Sequence, residues 1–189
     1  EGRAKDSDDR TQDSVLKMLN MGGPTSGRIT ADIIENLRHM NIVPLAISYE
    51  YDPCDYLKAK EFQCKRDIPG WKKAKQDDLD NMKTGSWGKK GHVHYQAADC
   101  INTWLDTLDP DTIEKADIFR VVAEHIDHEI HKNYRIYDIN RDALAGTENA
   151  YIEERIKMVD VENPDVPFLR EKLTAMYANP LRNYEKAVG

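Results

Sequence analysis

The sequence predicts an α/β fold: a partial mixed or parallel sheet with covering helices over residues 1–98, then a mostly helical region packed on it over 99–189. Three observations carry this. The run Ile42–Ile47 is apolar without clear alternation, as in a strand covered on both faces. Helical and strand-like segments alternate through the first half, the order that builds parallel or mixed sheets. From Asp99 onward the hydrophobic spacing is almost entirely helical.

Residues 11–20 place Val15, Leu16 and Leu19 on one helix face. The breaker cluster "MGGPTSGR" reads as a flexible surface loop. "ITADIIENLRHM" follows as a second amphipathic helix, with Ile33, Ile34, Leu37 and Met40 as its stripe and Thr30 as N-cap. In the strand after it, Pro44 cannot donate to a ladder and belongs at the strand's start or at a bulge, while Leu45 is expected in the core. "YDPCDYLKA" opens a helix, with Asp52 as N-cap, Pro53 at N1 and Asp55 favouring the N-terminal dipole. A polar, Lys-rich stretch leads to a second strand, "KGHVHYQAA". Helices are then expected over 99–108, from Asp109-Pro110 to about Lys132, over 149–160 and over 166–178. Two strands are few for so many helices. Either further strands hide in the polar stretches, or part of the sheet lies outside this chain.

Composition narrows the function classes. The 189 residues carry a formal charge of −7, which argues against a nucleic-acid binder or a polybasic membrane-surface protein. No apolar run approaches the length of a bilayer span, and the first residues lack the pattern of a signal peptide. Cys54, Cys64 and Cys100 are odd in number and lack a C-x-x-C spacing, so they read as reduced, partly buried thiols.

Glu1-Gly2-Arg3-Ala4-Lys5 presents a glycine turn with two cations two residues apart, an arrangement suited to gripping phosphate oxygens. Its other reading is a frayed acidic-basic end, continued through "KDSDDR". The stretch resembles the third signature block of the glycerophospholipid acyltransferases, a Glu-Gly followed by two basic residues. Ile42-Val43-Pro44-Leu45-Ala46-Ile47 resembles the fourth block, and Gly91-His92-Val93-His94-Tyr95-Gln96 is similar to a late strand of that family. The matches stand in order over residues 1–98. The resemblance is strongest to bacterial members that acylate glycerol 3-phosphate or its 1-acyl derivative.

The resemblance implies an enzyme moving a fatty acyl group from a thioester donor, acyl-CoA or acyl-carrier protein, to a phosphorylated glycerol or lysophospholipid. It implies no other cofactor and no nucleic-acid partner. It implies a cytoplasmic location, with peripheral contact at the cytoplasmic face of the inner membrane. Glu1, Gly2, Arg3 and Lys5 become substrate-binding residues. Lys5 stands where the family has Arg, which keeps the charge but loses the bidentate fork, and Ala97-Ala98-Asp99 replaces the family's Gly-Glu-Pro. The family's H-x-x-x-x-D block, its general base and orienting carboxylate, precedes the third block and is not in this sequence. The expectation is therefore a C-terminal portion of a larger acyltransferase, inactive by itself.

Three further patterns compete with blander readings. His94 and Asp99 form a literal H-x-x-x-x-D, but after the other blocks and on a strand, so they rank as an alternative dyad only. His125, His128 and His131, with Glu124, suggest a metal site, although the apolar stripe Phe119, Val122, Ile126, Ile130 explains the segment as an amphipathic helix with solvated imidazoles. Trp71-Lys72-Lys73-Ala74-Lys75 and Lys83…Trp87-Gly88-Lys89-Lys90 fit contact with an anionic headgroup or the phosphates of a CoA-type donor, or a flexible solvated stretch. The alternatives to an acyltransferase fragment are a non-catalytic helical interaction module with an inherited fold, and a metal-binding protein built on the 125–131 histidines.

Overall fold

The computed structural model describes residues 6–189. Helices α1 (Asp13–Met21) and α2 (Thr30–His39) lead into strand β1 (Leu45–Tyr49), and α3 (Asp55–Asp67) and α4 (Lys75–Trp87) separate it from β2 (Val93–Ala97). The rest is helical: α5 (Asn102–Leu105), α6 (Ile118–Lys132), α7 (Asp138–Ala145), α8 (Ala150–Lys157) and α9 (Val166–Val188). Among the described residues the sheet has two strands, and they are antiparallel, with Leu45 opposite Ala97, Ile47 opposite Tyr95 and Tyr49 opposite Val93.

The α/β class with a helical C-terminal region therefore holds, while the expected parallel or mixed sheet does not. The reason is α4. A single crossover helix returns the chain to the end where the first strand began, and the next strand runs parallel. Two helices carry it back again, so β2 runs against β1. The stretch holding α4 reads as polar and Lys-rich, with few apolar residues to announce a helix, and no residue of α4 is buried.

The strand expected to be covered on both faces is covered on one. Ala46 and Ser48 are buried, whereas Leu45 (47% exposed), Ile47 and Tyr49 face outward beside Val93 and Tyr95 of β2. Pro44 precedes the ladder, and its carbonyl accepts from Ala98 N–H. Leu45 is thus an exposed residue, because only one layer of helix lies against this sheet.

Two cores form. One gathers Leu16, Ile33 and Leu37 with Ile101, Leu105, Ile118 and Val122; the other gathers Ala59 with Ile139, Ile152, Leu169, Leu173 and Met176. Each draws on residues from both sides of position 98.

Local chemistry shifts several helix ends. Thr30 lies inside α2 and donates to the Ile113 carbonyl, leaving Ile29 as N-cap. Asp52 caps a turn, accepting from Cys54 N–H at 2.8 Å, and α3 starts three residues later. Asp109-Pro110 forms turns rather than helix, and α6 begins only at Ile118. Helix α7 was not foreseen; its signals are Gly146, left-handed at φ 72°, and Asn140, whose Oδ1 accepts from Tyr137 N–H. Helix α9 continues past Pro180 to Val188, ten residues beyond expectation.

The glycine loop after α1 is pinned. Asn36 is fully buried, accepts from Thr25 N–H and Oγ1, and donates to Asn20 O and Oδ1. A Cβ on Gly23 would fall 2.2 Å from Asn36 Cγ, so this close approach requires glycine.

Candidate functional site

A cavity of about 330 Å³ opens at the edge of β1. The N-terminal segment supplies Ser7 and Asp9, β1 supplies Ile47–Tyr49, the turn and first helix after it supply Asp52 and Lys58, the α6–α7 connection supplies Tyr134 and Arg135, and α9 supplies Tyr177. The segment before α1 is held in place: Asn179 and Asn183 of α9 donate to Asp6 O and Asp8 Oδ1, and Asp127 of α6 accepts from Thr11 N–H at 2.7 Å. From Asp6 on, the acidic opening is an ordered wall of this cavity rather than a frayed end. Glu1, Gly2, Arg3 and Lys5 lie outside the described residues.

Under the cavity runs a buried polar chain. Asp52 N–H donates to Tyr177 Oη (3.1 Å), and Tyr177 O–H donates to Asp55 Oδ2 (2.7 Å). Arg155 Nε donates to Asp55 Oδ1 at 2.5 Å, and its Nη2 to the Pro53 carbonyl at 2.8 Å. Asp55 is wholly buried. Burial pushes its carboxyl up from the usual carboxylate range, opposed by Tyr177, Arg155 and the Tyr56 N–H. Burial likewise raises the Tyr177 phenol, helped by the Asp55 charge, so Tyr177 stays a donor at neutral pH.

The cavity's own charges divide into two kinds. Lys58 Nζ pairs with Asp52 Oδ2 at 2.6 Å. Asp9 accepts from Tyr134 O–H at 3.3 Å, and burial lifts its carboxyl above the usual range. Arg135 is anchored through its backbone, whose N–H donates to the buried Ser48 Oγ at 3.0 Å. Its exposed guanidinium has no ion pair or hydrogen bond among the described residues. It also lines a second, wider cavity of about 780 Å³ with Glu50, His94 and Arg141. An anion entering at β1 would thus meet one cation already paired with Asp52 and one fork with no partner among the described residues, beside the Asp9 carboxyl.

The structure separates the alternative dyad. His94 lies opposite Ser48 in the sheet, half-buried, whereas Asp99 is exposed beyond the end of β2, and no hydrogen bond joins them. The three α6 histidines go separate ways. His125 stacks on Trp104, rings 3.8 Å apart and nearly parallel; His128 is exposed; the His131 ring contacts the Asp9 carbonyl at 3.0 Å. Among the described residues no cluster of three or more His, Cys, Asp or Glu side chains could hold a metal ion. The stripe of Phe119, Val122 and Ile126 is buried as expected, but His125 is not the freely solvated ring the spacing suggested.

Burial lowers the pKa of His125, with His128 and Lys132 adding to the effect and Glu129 opposing it. A base with a depressed folded pKa contributes stability above its unfolded value, near 6.5, and loses it as pH falls through the folded value. The gap in melting temperature between the wild type and His125→Gln should therefore shift in the variant's favour between about pH 7 and pH 5. Thermal melts across that range check it, and a constant gap would mean His125 titrates normally.

The tryptophan–lysine stretches border a groove of about 690 Å³ between α3 and α4, lined by Tyr56, Trp71, Lys73, Asp80, Trp87 and Met158 among others. Residues that sequence spacing did not mark as functional are Asp9, Lys58, Arg135, Arg155 and Tyr177. Among the described residues, no helix is long and apolar enough to cross a membrane. Comparison of the chain with family models, curated proteins and solved structures finds no match.

Proposed function

We propose that this chain is the acceptor-binding portion of an acyltransferase that moves a fatty acyl group from acyl-CoA or acyl-carrier protein to a phosphorylated glycerol or lysophospholipid. One observation carries the reading. Ile47, the last residue of the stretch that resembles the fourth block, opens on a cavity walled by Ser7 and Asp9 of the N-terminal segment, and that cavity also receives Lys58 and Arg135, whose guanidinium has no ion pair among the described residues. In this reading Arg3 and Lys5 complete the phosphate grip, and Arg135 adds the planar fork that Lys5 lacks. The proton-transfer dyad belongs to another part of the enzyme, since His94 and Asp99 do not meet, and the chain alone turns over no thioester. The reaction belongs in the cytoplasm, at the inner membrane's cytoplasmic face.

A non-catalytic interaction module is favoured by a different observation, the exposed apolar outer face of the sheet. In the acyltransferase reading the remainder of the enzyme covers that face.

Calorimetric titration separates the two. Glycerol 3-phosphate should bind where glycerol does not. Arg135→Gln should weaken it by roughly tenfold to a hundredfold, the loss of one charge-assisted hydrogen bond of about 1.5–3 kcal/mol. Equal binding of glycerol, or an unchanged affinity in Arg135→Gln, removes the acceptor site.

A further inference from the structure

Helix α4 is turned inside out. At about 100° per residue, Lys75, Leu79, Met82, Lys83, Ser86 and Trp87 share one side of it, and its three aspartates fall outside that arc. Asp77 and Asp80 line the groove towards α3, where Lys83 and Trp87 reach its rim, and Asp78 pairs with Lys73. The apolar residues are open to solvent: Met82 is 69% exposed and Trp87 79%, with Leu79 and, just beyond α3, Ile68 also exposed. Lys83 Nζ lies 5.5 Å from the centre of the Trp87 ring.

The charge is as local as the apolar surface. Residues 66–90 hold seven Lys and Arg against four Asp, whereas the whole chain carries −7. Lys72 and Lys75 form no ion pair among the described residues. A helix lying flat on a bilayer buries Leu, Met and Trp at the headgroup boundary, while its lysines extend their amines to anionic headgroups. A protein partner could use the same apolar residues, but the excess of lysines around them, Lys72, Lys75 and Lys83 among them, is complementary to a negative surface of any shape.

We infer that α4 and the loops flanking it form a docking face for an anionic lipid bilayer. The inference does not depend on the acyltransferase reading, because lipid binding is measured without an acceptor, a donor or turnover.

The test is sedimentation of the 189-residue chain with vesicles of phosphatidylcholine alone, or with about a third phosphatidylglycerol, and with tryptophan emission as a second readout. The chain should bind the anionic vesicles, and at least roughly tenfold more weakly the neutral ones, since each basic side chain near a charged surface is worth about fivefold. Leu79→Glu and Met82→Glu should each reduce binding by roughly tenfold or more without changing the melt, as neither residue is buried. Met21→Glu, an exposed methionine on α1, should bind normally. No preference for the anionic vesicles, or equal losses in Met21→Glu and Met82→Glu, overturns the inference. So does self-association of the chain that Leu79→Glu abolishes, which would assign the face to a second copy.

Discussion

Arg155→Ala should destabilise the protein by about 3–5 kcal/mol, the range for removing one partner of a buried ion pair. The cause is what remains. Asp55 is wholly buried, and without Arg155 it keeps Tyr177 O–H and the Tyr56 N–H as donors but loses its countercharge. Burial already holds that carboxyl above its ordinary pKa, and losing Arg155 raises it further. An acid with a raised folded pKa contributes stability that is full below the unfolded value and is lost as pH rises through the folded one. The deficit of Arg155→Ala should therefore be largest near neutrality and narrow as pH falls towards the carboxylate range. Urea unfolding at several pH values measures this. The double variant Asp55→Asn/Arg155→Ala should recover part of the loss at neutral pH, since an amide costs less to bury unpaired than a charge. A deficit that does not vary with pH would mean the loss is one of packing, through the Arg155 stack on Tyr56 and Tyr151, rather than of charge.

That pair also shows where reading the sequence stops. Asp55 stands at the third position of an Asp-Pro helix start, where its local role, favouring the helix dipole, explains it completely. Its structural role depends on Arg155, a hundred residues away, and nothing in the spacing of either residue announces the other. The legible parts were those with a local period: α1, α2, α3, the two strands and the apolar stripe of α6. Helix α4 was illegible because no residue of it is buried and its few apolar side chains are scattered among lysines and aspartates, and missing it reversed the inferred direction of β2. The site divides the same way. The strand after Pro44 was marked by its motif, whereas Arg135 sits in a connection between helices and reaches the cavity only because Ser48 holds its backbone. Burial of a strand cannot be read from its own apolar residues either. Leu45, Ile47 and Tyr49 have the composition of a covered face, and what covers a face is set by other segments.

The second large effect follows from that correction. Leu173→Ala should cost about 2–5 kcal/mol, because the side chain is fully buried among Ile139, Ile152, Leu169 and Met176, and its removal leaves a cavity that the flanking helices α7, α8 and α9 cannot close without breaking their own packing. Against a domain stability of about 5–15 kcal/mol that is a visible fraction, and the denaturant midpoint should fall with little change in slope. Leu45→Ala, on the outer face of the sheet, should cost only about 0.5 kcal/mol, as for other substitutions at exposed positions. The two variants are informative as a pair. If Leu45→Ala costs as much as Leu173→Ala, the outer face of β1 and β2 is covered in solution, and a second copy of the chain is the first candidate for the cover. Its unfolding midpoint would then rise with protein concentration, as it does whenever the folded state is stabilised by association. If Leu45→Ala is mild and the midpoint does not depend on concentration, the face formed by Leu45, Ile47, Tyr49, Val93 and Tyr95 is open in this chain. The sheet would then be held by its inner side alone, by Ala46 and Ser48 packed against α6 and its connection to α7.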